Sequence, residues 1–234
     1  MDIRGLMKIA VVVLVATSST WALTVGRYSR PPTHLGHLEL SPTGKWYVSP
    51  EVAPDASLVF GNSQTNGGYL FPGPGRIVMD WGTMAAYPEN SVFAPTVGYA
   101  TSTVGTVDLV LRLHVLAPGS GNSGALVTEH LVSGLPGSTD GTVMAFTFEM
   151  SIDTIIVPEG PLGWSYEVFD ATTGPLLVDP SEEEGIVDLL DLYDADLDYI
   201  TSFSLGGAPF SSLYVSLVGA YPPISGEQRV DLGG

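Results

Sequence analysis

The chain has 234 residues, 44% of them hydrophobic and 14% charged, enough to bury the core of one domain and too apolar for a disordered tail. Eight Lys and Arg stand against 25 Asp and Glu, a formal net charge of −17, and a field of that sign repels phosphate backbones and anionic lipid surfaces, which excludes nucleic-acid binding. With no Cys, the chain has no thiolate nucleophile, thiolate-bound zinc, iron–sulfur cluster or disulfide, while 28 Gly and 18 Pro predict many turns between short segments.

Residues 1–22 read as a targeting segment. Arg4 and Lys8 precede the apolar run Ile9 to Ala16, and Thr17, Ser18, Ser19 and Thr20 follow it. That order predicts a secretory signal peptide cleaved after Ala22, and Ile9 to Ala22 is too short to span a bilayer, so no membrane span is expected after cleavage. Export of a chain without Cys points to a bacterial envelope or extracellular protein. Residues 23–50, rich in Pro, Ser, Thr and His, predict an extended arm with one edge strand around Trp46 to Val48.

Residues 51–234 read as a single domain of short strands. β-Branched and aromatic runs recur at Ser57–Phe60, Tyr69–Phe71, Arg76–Trp81, Thr106–Leu116, Ala125–Val132, Thr142–Val157, Gly163–Phe169, Gly185–Leu192, Tyr199–Leu205 and Ser212–Val218. Between them stand Asn66-Gly67-Gly68, Pro72-Gly73-Pro74-Gly75 and Pro118-Gly119-Ser120-Gly121-Asn122, where Gly permits positive φ and Pro holds φ near −65°. Val107, Leu109, Leu111, Leu113 and Val115 alternate with Asp108, Arg112 and His114; Phe146, Phe148, Met150 and Ile152 alternate with Thr147, Glu149, Ser151 and Asp153. Period two over such lengths predicts half-buried strands, and many of them with almost no helical period predict an all-β fold, an antiparallel β-sandwich of the jelly-roll kind. Only Gly185 to Tyr199 has near-helical spacing, in Val187, Leu190 and Tyr193.

Charge is uneven along the chain. The 116 residues between Arg112 and Arg229 hold no Lys or Arg and 17 acids, nine of them between Asp179 and Asp198. Such density is relieved by solvent, by protonation or by a hard cation, so Asp188, Asp191, Asp194, Asp196 and Asp198 are candidate calcium ligands beside the plainer reading of a solvated acidic face. The EF-hand pattern is absent, with Tyr199 at its Gly position and Leu205 at its bidentate Glu.

The run from Tyr193 to Tyr199, then Phe203-Ser204-Leu205 and Leu213-Tyr214-Val215-Ser216-Leu217, resembles the end of bacterial pre-peptidase C-terminal type β-sandwich modules over about residues 185–220. Gly163-Trp164-Ser165-Tyr166 with Thr172 to Leu177 also looks like exported proteins of environmental bacteria. The resemblance implies an accessory, adhesive or structural module at the envelope, not a catalyst.

Catalytic patterns are thin. Gly121-Asn122-Ser123-Gly124 looks like a serine-protease nucleophile loop, with His34 or His37 and Asp80 or Asp108 upstream, but Gly, Asn and Ser are also what a hairpin turn requires. Glu149 and Glu167 could pair as a glycosidase acid and base beside Trp164 and Tyr166; isolated strand glutamates are otherwise solvent-facing. His34 and His37 could bind zinc, although no third ligand is in view. Among Trp46, Tyr47, Trp81, Trp164, Tyr166, Tyr193 and Tyr199, a ligand platform for a glycan is expected at Trp164, Tyr166 and Tyr199. With only Lys45 as a lysine after the signal, exposed edge strands offer a route to self-association.

Overall fold

The computed structural model describes residues 23–40, 46–49, 57–63, 65–116, 118, 121–178, 189–205 and 212–220. The expected signal segment and the acidic run 179–188, Asp188 included, lie outside them. The strands are β1 (Thr24–Arg27), β2 (Thr33–Leu40), β3 (Trp46–Ser49), β4 (Ser57–Asn62), β5 (Thr65–Phe71), β6 (Arg76–Thr101), β7 (Thr106–Val115), β8 (Ala125–Pro136), β9 (Met144–Met150), β10 (Ile155–Val168), β11 (Thr173–Val178), β12 (Leu190–Asp194), β13 (Tyr199–Phe203), β14 (Ser212–Leu213) and β15 (Val215–Ala220).

They form a β-sandwich. One layer runs β8–β7–β10–β6–β12–β13, built on the first half of β6. The other runs β3–β2–β9–β6–β15–β4, built on its second half, so β6 passes from one layer into the other. Among the described residues the pairings are antiparallel apart from β2 against β9, and a smaller sheet of β1, β5, β11 and β14 joins β6 through Thr173 to Pro175.

The period-two readings place the core. Leu109, Leu111 and Leu113 of β7 face Phe146, Phe148 and Met150 of β9 within one apolar cluster, joined by Trp164 and Tyr166 of β10. The Tyr99 ring stacks on Phe146 at 5.1 Å and the Trp164 ring lies 5.0 Å from Phe60. Burial of a large aromatic or aliphatic side chain contributes about 1.5–3 kcal/mol, and two core tyrosines find carbonyl partners: Tyr99 donates to that of Pro136 at 2.7 Å and Tyr166 to that of Tyr214 at 2.6 Å.

Three expectations change. Residues 23–50 are not a bare arm, since β1 pairs with β5 and β2 lies between β3 and β9. The strand expected over Gly185 to Leu192, where a short helix could compete, lies instead at Leu190 to Asp194 as β12: Leu190 and Leu192 are buried on one face and Asp191 and Tyr193 on the other, period two again. Thr142 to Ile156 is broken at residues 151–154, which separate β9 from β10. No helix among the described residues is long and apolar enough to cross a membrane, which leaves strand-built spans unaddressed.

Gly174 marks where β11 meets β5. A Cβ there would stand 1.9 Å from the Leu70 carbonyl oxygen, a backbone atom that cannot swing away. Gly174→Ala is therefore expected to destabilise by about 1–3 kcal/mol in a urea titration, as overpacking does. A loss below measurement error would mean that the two strands separate freely.

Candidate functional site

The acidic motif before Tyr199 resolves into a hairpin turn. Asp194 Oδ1 accepts the backbone N–H groups of Asp196 and Asp198, each at 3.0 Å, and Leu197 sits at φ 63°. The Asp-x-Asp-x-Asp spacing is thus used for turn chemistry, with Asp196 and Asp198 facing solvent. Asp191 differs from the ligand expected, being fully buried with both oxygens engaged. Oδ1 accepts from Ser202 Oγ at 2.5 Å, and Oδ2 accepts from Gly121 N–H at 2.7 Å and the Tyr193 hydroxyl at 3.1 Å. Among the described residues no group of three or more His, Asp or Glu side chains is placed to hold a metal ion.

Nor do the expected platform aromatics share a surface. Trp164 and Tyr166 are core residues, 2% and 1% exposed, because the alternation of β10 turns them inward. Tyr199 is half exposed, bonded through its hydroxyl to Ser202 at 2.7 Å and edge-on to Tyr193. Ser123 lies in a loop where Asn122 accepts from Gly124 N–H and Gly121 donates to Asp191, so the nucleophile-like motif is a turn.

Glu149 and Glu167 cannot pair. Each projects from the outer side of its own layer, Glu149 flanked in β9 by inward Phe148 and Met150, Glu167 in β10 by inward Tyr166 and Val168. Glu167 is buried against Arg112, whose Nη2 donates to its Oε2 at 2.7 Å while Nε donates to Glu129 at 2.5 Å. One strand position away, fully buried His114 meets Ser165 Oγ at 3.1 Å, and burial together with the Arg112 charge lowers its pKa to about 4.

A cleft opens on the side of the sandwich where the edge strands β3 and β8 lie, with a volume of about 410 Å³ and walls from Glu39, Trp46, His130, Ser151, Ile152 and Asp153. Trp46 bridges the layers: its indole N–H donates to the Leu131 carbonyl at 2.9 Å, and its ring meets His130 edge-on at 6.0 Å. A second hollow of about 270 Å³, also lined by Trp46, runs along Tyr47, Val48 and residues 133–136. Burial holds the His130 imidazole below its ordinary range, against the opposing pull of Asp153 and Glu129, so it is neutral at pH 7 and bonds Thr128 Oγ1 at 2.8 Å. Glu39 accepts from the Tyr47 hydroxyl at 2.7 Å, which keeps that phenol from ionising.

At the break after β9 the Ser151 hydroxyl and His37 Nε2 are 2.5 Å apart, and the other His37 ring nitrogen lies 3.3 Å from Glu149 Oε1. The parallel register puts His37 beside Glu149, and Ser151 N–H donates to the Leu38 carbonyl at 2.9 Å, fixing the serine next to the ring. His37 and Glu149 were visible as separate zinc and acid candidates; nothing in the sequence singles out Ser151, 114 residues from its partner.

No family model matches the chain, and no curated protein matches it. Among solved structures, a chain from "Structure of infectious bursal disease virus Gx strain" is similar at a TM-score of 0.29 and 13% identity, over 74% of this chain and 39% of that one. This chain thus spans about two fifths of that protein's length, and the fold class rests on the strand pairing above.

Proposed function

We propose that the protein is an exported β-sandwich that binds a neutral saccharide outside the cytoplasm, in the cleft beside Trp46. The observation that carries this reading is the cleft itself: about 410 Å³, lined by Trp46 together with Ser151, Glu39 and Asp153. A sugar offers a C–H face for an aromatic ring and hydroxyls for carboxylates, and the second hollow lined by Trp46 offers room for a further ring of a chain-like ligand. Anionic saccharides fit poorly, because the cleft carboxylates and the net charge of −17 repel them. The signal-like segment 1–22 supports work outside the cytoplasm.

The test is isothermal titration of the mature chain with soluble xylan and a neutral β-glucan, with polygalacturonate as the anionic control. Binding of a neutral polymer is expected, and Trp46→Ala should weaken it by about 2 kcal/mol, the scale of an aromatic anchor. Thermal unfolding of the variant is run alongside, since Trp46 also ties β3 to β8. Equal or tighter binding of polygalacturonate, or indifference to Trp46→Ala, overturns the reading.

A further inference from the structure

We infer that Ser151, His37 and Glu149 form a nucleophilic acyl-transfer site that cleaves a small neutral ester, such as an O-acetyl group, carried by a ligand in the Trp46 cleft; the choice of ligand rests on the saccharide reading, the chemistry of the three residues does not. Three observations converge. Ser151 lines the cleft, and its hydroxyl lies 2.5 Å from Nε2 of His37, which is 5% exposed. Glu149 faces the opposite ring nitrogen at 3.3 Å, a buried Nδ1 that makes no well-aligned hydrogen bond. A carboxylate at Nδ1 favours the tautomer with its proton there, and that leaves Nε2 free to accept from the serine. Nucleophile, base and orienting acid thus come in the order such catalysis requires, with Nδ1 and Glu149 close enough to align once a substrate is bound.

The oxyanion would be held by backbone N–H groups of the same segment. Residues 151–154 leave the strand ladders, and of the N–H groups there Ser151 is committed to the Leu38 carbonyl. The N–H groups of Ile152 and Asp153 follow directly, beside the cleft that both residues line. In the first step Ser151 Oγ bonds to the ester carbonyl carbon and its proton passes to His37 Nε2. The carbon–oxygen bond to the alcohol then breaks, and His37 returns the proton to the departing oxygen. Water, activated by His37 in the same way, attacks the acyl-serine, releases the carboxylic acid and restores Ser151. Ser151 and His37 are the catalytic residues and Glu149 a positioning residue. An acidic cleft next to Glu39 and Asp153 selects neutral esters over anionic ones.

The mature chain is treated with a fluorophosphonate and, separately, with p-nitrophenyl acetate, and the modified peptide is located by mass spectrometry. Labelling at Ser151 is expected, with ester hydrolysis that falls by about 1,000-fold or more in Ser151→Ala and His37→Gln. Glu149→Gln should lower kcat about tenfold or more at unchanged KM and be partly rescued by Glu149→Asp, which a purely structural glutamate would not do. Labelling is read on the unaltered protein, so a variant that fails to fold does not blur the result. Wild-type protein that takes no label at Ser151, or hydrolysis equal in wild type and Ser151→Ala, overturns the proposal. Xylan binding without labelling overturns the acyl-transfer site alone; labelling without xylan binding supports it and overturns the saccharide reading.

Discussion

Arg112→Ala is expected to lower the free energy of unfolding by about 3–5 kcal/mol, measured by urea denaturation at pH 7. The guanidinium is 8% exposed and is gripped by Glu167 on one side and Glu129 on the other. Removing it leaves Glu167, 10% exposed at its side chain, as a buried carboxylate without its cation. The two partners should differ in their response. Glu129 is half exposed, so Glu129→Gln should cost no more than about 1 kcal/mol, as water screens that pair. A double variant, Arg112→Met with Glu167→Gln, should recover much of the Arg112→Ala loss, because a neutral pair of similar volume carries no stranded charge. An Arg112→Ala loss below about 1 kcal/mol would mean that water reaches Glu167 and that the outer face of β7 and β10 is wetter than its burial implies.

Acid should weaken the fold through His114. Its folded pKa is lowered to about 4, first by burial and then by the Arg112 charge. In the unfolded chain the ring titrates near its ordinary pKa of about 6.5. Between those values the unfolded state binds the proton and the folded state refuses it, so stability is full above about pH 6.5 and declines as pH falls toward 4. The loss is on the order of 3 kcal/mol by pH 4, at about 1.4 kcal/mol per pH unit. The many other carboxylates add a pH dependence of their own that is common to wild type and variant. The informative quantity is therefore the difference between wild type and His114→Gln across pH 4–7. Wild type should lose more stability than the variant on acidification, by about that amount. Parallel curves would show that His114 takes up its proton inside the fold and that the shift is absent.

Much of the architecture was legible because it follows from local chemistry. Alternation in 107–115 and 144–150 named the inward residues of β7 and β9, and Gly- and Pro-rich clusters marked the turns. Spacing along the chain does not say which face a residue takes or what its side chain bonds. The Asp194, Asp196 and Asp198 pattern suits a cation in principle, yet the Asp194 carboxylate closes a turn on its own backbone. Trp164 and Tyr166 suit a sugar in principle, yet the pairing of β10 between β6 and β7 sends both inward.

The sequence by itself determined the all-β character, the period-two alternation, the acidic asymmetry and the absence of thiol chemistry, because each is a property of composition or of near neighbours. Only the tertiary structure decided which polar residues meet. Arg112 reaches Glu167 across 55 residues and His37 reaches Ser151 across 114, through strand pairings set by the burial of the opposite faces. A side chain's partner on the outer face is a by-product of how the inner face packs, and no window of sequence contains both.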